Sequence, residues 1–216
     1  VGLVVSISGK PSRKVVENGI NALKAVWHRG AVDADGKTGD GAGIHVQIPV
    51  KFFYDQVRRT GHEPDVSKLI AVGQVFLPRT DFGAQERCRT IVETEVLRMG
   101  HYIYGWRHVP CDVSVLGDKA NATRPEIEQI LIRCEKDIDQ EQFERELYII
   151  RRRIEKAATA AISTSRMLGL AGVSKNTTFV AGLMAAARLA GSTRSTWVTL
   201  TPNFERPWLR KPNVQP

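Results

Sequence analysis

The chain has 216 residues, 42% of them hydrophobic and 25% charged, enough for one sizeable domain with its own core. No run approaches the ~18 consecutive apolar residues of a membrane span, and no charged, apolar, small-residue order opens the sequence as in a secretory signal. The net charge of +8 raises nucleic acid as a partner. The basic residues are scattered, however, and no basic and aromatic alternation suited to stacking bases occurs, so neither nucleic acid nor membrane is expected as a partner.

In chain order, residues 3–7 are short, β-branched and broken by Ser8-Gly9-Lys10-Pro11, which predicts a buried strand and a turn. Ser12 is a fitting N-cap for a helix running to about Trp27, with Val16, Ile20, Leu23 and Trp27 on one apolar face. His28, Arg29 and Gly30 end it, cations in the last turn and then glycine. A loop rich in Gly and Asp leads into 44–49, whose period-two alternation predicts a half-buried strand. A strand is expected over 70–77, a helix over 85–98 closed by Gly100, and a third extended run over 102–109. Residues 110–125 read as turns, 127–132 as a strand in preference to a helix, and 140–157 as a helix with Phe143, Leu147, Ile150 and Ile154 on one stripe. The run 151–153, Arg-Arg-Arg, reads as a solvated helix face with Glu144, Glu146 and Glu155 in reach. Beyond Ala157 the periodicity is weak, and after Gly191 no element is predicted.

The three cysteines, Cys88, Cys111 and Cys134, form no CxxC pair and have no histidine at ligand spacing. Neither a zinc site nor a disulfide framework is expected; buried or half-buried free thiols in a reducing cytoplasm are.

Residues 27–48, WHRGAVDADGKTGDGAGIHVQI, hold the chemistry. Arg29 followed by Gly30 lets the chain turn while a guanidinium enters the loop, and its planar fork suits a carboxylate. Glycines 36, 39, 41 and 43 allow close approach of backbone N–H groups to a ligand. Asp33, Asp35 and Asp40 can bind an ammonium group or brace neighbouring N–H groups. Together they suit a zwitterionic amino acid, although a plain polar loop between helix and strand has the same composition. A phosphate loop is excluded, because such a loop should open a helix and three carboxylates would repel the anion.

HRGAVDADGKTGDGAGI resembles the signature near the start of the amidotransferase domain of glutamate synthase large subunits, which are class II, N-terminal-nucleophile glutamine amidotransferases. The resemblance continues in order through VGLVVSI, IPVKFF, VGQVFLPR, GWRHVP, DVSVLG and FERELYIIRRRIE, covering residues 1 to about 156 and more faintly to about 190. It implies an α+β fold, the four-layer αββα sandwich, incomplete here. It implies a partial domain over 1–190 and an irregular tail over 191–216. Read out of frame, GSTRSTWVTLTP resembles the family's FYPDLxDP, so a fragment and a frameshift both remain open for the tail.

In the family an N-terminal cysteine attacks the side-chain amide of glutamine with its own α-amino group as base. The family chain begins CGVG, so Val1-Gly2-Leu3 places that cysteine two residues ahead of Val1, and no catalytic residue is expected within this chain. As it stands it is not expected to hydrolyse glutamine. Arg29 and Gly30 match the family's active-site loop and Asp40 and Gly41 the GDGAG lining the same pocket; His28 matches too and reads as a loop brace. The family's HxRFSTN and HNGEIN stretches have no counterpart in this sequence. The resemblance further implies L-glutamine as substrate, the remaining domains of the large subunit and a small subunit as partners, and FMN with an iron–sulfur cluster in the full-length enzyme but no cofactor in this segment. Another class II amidotransferase, or a non-catalytic binding module, is the alternative.

Overall fold

A computed structural model of the chain describes residues 2–10, 12–26, 32–38, 44, 46, 48–167 and 180–186. Its elements are helices α1 (Arg13–Ala25), α2 (Val50–Arg59), α3 (Phe82–Arg98), α4 (Asp118–Thr123) and α5 (Gln140–Met167) and strands β1 (Ile70–Leu77), β2 (Tyr102–His108), β3 (Glu126–Arg133) and β4 (Val180–Ala186). They fall into two compact units, one built from Val1–Val46 with Cys111–Arg124, the other from Gln47–Pro110 with Pro125–Glu205.

In the larger unit the four strands form one antiparallel sheet in the order β2-β3-β1-β4. Alternate residues of a strand point to opposite faces, so each face recruits its own helices. Ala71, Val75, Leu77, Ile130 and Ile132 meet Val92 and Val96 of α3 and Phe143, Leu147, Ile150 and Ile154 of α5. On the other face Ile70, Val72, Leu131 and Tyr104 pack with Ile48 and with Phe53, Tyr54 and Val57 of α2. The result is helix on sheet on helix, a mixed α/β arrangement consistent with the α+β expectation. β2 carries a bulge at Gly105, where the register against β3 slips and φ is +137°. A side chain there would also crowd Thr60, whose Cγ2 would lie 3.1 Å from its Cβ.

Several expectations hold. β1 runs over the expected residues; β2 ends one residue before the expected 109, and β3 extends the expected 127–132 by one residue at each end. Ser12 caps α1, accepting the Lys14 N–H at 3.2 Å. Asp81 caps α3 in the same way, accepting from Ala84 at 2.8 Å, which starts that helix three residues before the expected Gln85.

Others need correction. Residues 3–7 form no strand: Leu3, Val5 and Ile7 are exposed. A strand persists only where a neighbour takes its backbone groups, and among the described residues none pairs with this run. Of 44–49, the described residues 44, 46, 48 and 49 lie in no strand, and Pro49 instead leads into α2. That helix was not anticipated, although Val50, Phe53, Tyr54 and Val57 stand at helical spacing. The 110–125 segment contains the short α4, α5 continues ten residues past the expected Ala157, and β4 appears where no strand was expected. Arg151 is 1% exposed, whereas the whole 151–153 run was expected in solvent. The stripe of Leu147, Ile150 and Ile154 turns that side of α5 inward, and the Arg151 guanidinium lies 5.1 Å over the Tyr148 ring with Glu155 nearby. Cys111 is exposed, whereas Cys88 is half-buried and Cys134 buried. The expected tail, 191–216, lies outside the described residues.

Candidate functional site

Arg29, Gly30, Asp40 and Gly41 lie outside the described residues, as does His28. Described is the centre of the same loop, 32–38, together with the segment on which it rests, both in the smaller unit.

The centre of the loop is a turn held by its own aspartates. Asp33 accepts its own neighbour's N–H, from Ala34 at 2.6 Å, while its backbone N–H donates to the Thr38 carbonyl at 2.7 Å. Asp35 accepts three donors: the Lys37 N–H at 3.0 Å, the Thr38 N–H at 2.7 Å and the Thr38 hydroxyl at 2.5 Å. A short polar side chain that bonds the backbone two and three residues on fixes a turn without any regular ladder. The Thr38 hydroxyl and backbone donors hold the Asp35 carboxyl low, at about 2.

The second support comes from far along the chain. Lys119, in the first turn of α4, donates from Nζ to Asp33 Oδ1 at 2.7 Å. This contact draws the Asp33 carboxyl below its ordinary range and raises the Lys119 ammonium above its own. The Ala120 N–H reaches Thr38 Oγ1 at 3.4 Å. Gly117, the N-cap of α4, sits against the loop so closely that a Cβ there would lie 2.5 Å from both the Thr38 nitrogen and Asp35 Oδ2, with Thr38 Oγ1 closer still.

These contacts separate the three aspartates that composition alone made equivalent. Asp33 already holds an ammonium, that of Lys119, and Asp35 is saturated by loop donors. Both are braces. The Asp-x-x-Thr spacing of Asp35 and Thr38 was a readable turn signal; Gly117 and Lys119 were not, because nothing local marks a contact across more than 80 residues of chain.

Among the described residues no group of three or more His, Cys, Asp or Glu side chains could hold a metal ion, and no helix is long and apolar enough to cross a membrane. Residues 1–192 match the family of class-II glutamine amidotransferases. The chain is 68% identical over 157 residues to the glutamate synthase [NADPH] large chain of Azospirillum brasilense, covering 73% of this chain and 10% of that protein. It is 37% identical over 160 residues to the chloroplastic ferredoxin-dependent glutamate synthase of Spinacia oleracea, covering 74% of this chain and 10% of the relative. Against ferredoxin-dependent glutamate synthase 2 of Synechocystis the identity is 39% over 153 residues, 70% of this chain and 10% of the relative. The chain thus spans about a tenth of the length of these relatives. With the match running through the braced loop and both units, the chain belongs to the class-II glutamine amidotransferases.

Proposed function

We propose that this chain is the front of the glutamine amidotransferase domain of a glutamate synthase large subunit, releasing ammonia from L-glutamine for transfer to 2-oxoglutarate. The observation that carries the reading is 68% identity to a glutamate synthase large chain within a family match over residues 1–192. It favours a glutamate synthase over other class II amidotransferases. Identities of 37% and 39% to the ferredoxin-dependent relatives favour NADPH as the electron source. The proposed fold is the αββα sandwich, with 1–190 as part of that domain and 191–216 as an irregular tail; the proposed location is the cytoplasm.

The nucleophile in this reading is a cysteine two residues ahead of Val1. Its sulfur attacks the side-chain carbonyl carbon of glutamine, and the thiol proton passes to the α-amine. The negative charge on the tetrahedral oxygen is held by an oxyanion hole. The C–N bond breaks, ammonia departs with the proton, and water then cleaves the thioester to give glutamate and the free thiol. Arg29 and Gly30 belong to the loop that supports the nucleophile and the substrate pocket, and Asp40 and Gly41 line the same pocket, while Asp33 and Asp35 are committed to the loop itself; the α-carboxylate falls to the arginine of the family's HxRFSTN stretch, which this sequence does not contain.

FMN and an iron–sulfur cluster serve the glutamate-forming half of such an enzyme. The described cysteines do not fit the cluster, which needs several convergent thiolates: Cys88, Cys111 and Cys134 have three different environments, half-buried, exposed and buried. Both groups are assigned to the other domains, the proposed partners of this one together with a small subunit.

The test is a protein with Met-Cys-Gly ahead of Val1 and the natural continuation downstream. Glutaminase activity that disappears on Cys→Ala supports the reading. A folded protein that neither binds nor hydrolyses glutamine would make the chain a non-catalytic module.

A further inference from the structure

We infer that the open half of the sheet in the larger unit, centred on Arg107, docks a carboxylate-bearing surface of the remaining large-subunit polypeptide; this rests on the glutamate synthase reading above. The order β1-α3-β2-β3-α5-β4 sends both crossover helices to one face of the sheet. The other face is covered at one end only, where α2 packs on Ile70, Val72 and Leu131. Farther along it, Gln74 and Phe76 of β1 stand opposite Gln129 and Ile127 of β3. All four are partly exposed, whereas Val75 and Leu77, on the helix-covered face of the same stretch, are each 1% exposed.

The bulge at Gly105 is what brings Arg107 to this face. Tyr102 and Tyr104 pack toward α2; the extra residue then turns Trp106 to the side of α3 and α5, and Arg107 returns opposite Gln129. Its guanidinium donates from Nε to Gln56 Oε1 at 3.2 Å and from Nη1 to Gln129 Oε1 at 2.8 Å, and it lies 5.2 Å over the Phe52 ring. Gln56 is buried, and Gln129 is held in turn by Gln74, whose Oε1 accepts from its Nε2 at 2.9 Å. Neutral amides therefore fix the cation and leave it N–H donors to spare. Among the described residues no carboxylate pairs with it, whereas Arg133, on the neighbouring strand, has Glu135. Burial and the Arg59 charge both weigh against its charged form. A carboxylate answers both, and the planar fork can take one through two parallel bonds. Exposed Phe52 and the Phe76–Ile127 pair add apolar contact beside that charge, the mixture of arginine and aromatic that anchors protein interfaces. The chain covers 10% of the length of its Azospirillum brasilense relative, and the occupant is assigned to the rest of a polypeptide of that kind.

The experiment uses the full-length enzyme that contains this segment, carrying Arg107→Lys and treated with a water-soluble carbodiimide, which joins an ammonium to a carboxylate in contact with it as an amide. Peptide mass spectrometry is expected to find position 107 joined to an aspartate or glutamate of the large subunit outside residues 1–216. The Lys119–Asp33 pair, 2.7 Å apart, is the positive control in the same sample. A bridge from position 107 to a residue within 1–216, or to another subunit, overturns the proposal. Where position 107 forms no bridge, arginine labelling by phenylglyoxal in the unsubstituted enzyme decides. Modification of Arg107 at least about 5-fold slower than in the urea-unfolded enzyme supports a covered face, and any smaller protection overturns it. Neither readout needs turnover. A folded full-length enzyme without cysteine-dependent glutaminase activity would therefore remove the amidotransferase reading itself, separately from the fate of the docking face.

Discussion

A guanidinium offers two parallel charge-assisted donors, and Arg29 is proposed to use them in supporting the nucleophile and the substrate pocket. Losing a charge-assisted contact of this kind costs on the order of 1.5–3 kcal/mol, so Arg29→Ala in a complete, cysteine-bearing domain should lower kcat/KM for glutamine at least ~10-fold. Steady-state glutaminase assays check this, and an unchanged ratio would make Arg29 a loop brace. The role of each aspartate could not be assigned at this scale from composition. Asp33, Asp35 and Asp40 are chemically identical, and only their neighbours distinguish a brace from a binding group. Lys119 and the Thr38 hydroxyl supply that distinction for the first two. Arg151 makes the same point, since three consecutive arginines look alike on paper while one is buried by the stripe beside it.

At the scale of elements, α5 was the most legible part of the chain because its apolar residues recur at helical spacing. Phe143, Leu147, Ile150 and Ile154 are all at most 1% exposed, packed on Ala71, Val75, Ile130 and Ile132 of the sheet. Ile150→Ala should therefore destabilise the chain by about 2–5 kcal/mol, transfer loss plus cavity. Urea unfolding with an unchanged m-value is the measurement; a loss under about 1 kcal/mol would mean that α5 does not dock as described. α2 was missed although Val50, Phe53, Tyr54 and Val57 carry the same kind of pattern: the alternation over 44–49 reads as a strand ending at Pro49, and no element is assigned to the residues after it. The opposite error occurred at 3–7, where β-branched composition met no pairing partner among the described residues.

For the molecule as a whole, the acid sensitivity of folding above pH 5 should trace largely to one histidine. His101 is buried between the end of α3 and α5, its Nε2 2.9 Å from Glu146 Oε2 and its ring edge-on to Phe143 at 5.1 Å. Lys136 donates to the same Glu146 oxygen at 2.8 Å, and Glu135 adds a weaker favourable charge. Burial is the dominant influence and lowers the imidazolium pKa despite Glu146. A depressed folded value means that the unfolded chain takes up the proton first. Stability is then fully present above about pH 6.5 and declines as pH falls from there through the folded value. Thermal unfolding from pH 8 to pH 5 should show a falling midpoint, and His101→Gln should flatten that slope. An equal slope in both proteins would place the sensitivity elsewhere. Asp35, held at about 2, titrates well below this window and does not confuse it.

By itself the sequence determined the family, the positions of β1, β2 and β3, the start of α5, and the Gly- and Asp-rich loop that holds 32–38, because periodicity, caps and motif order are all local properties. Tertiary structure alone decided which residues that loop leans on and which of its charges are already spent. Gly117 and Lys119 meet the loop from about 80 residues away in the chain, and no local pattern encodes a contact that only folding creates.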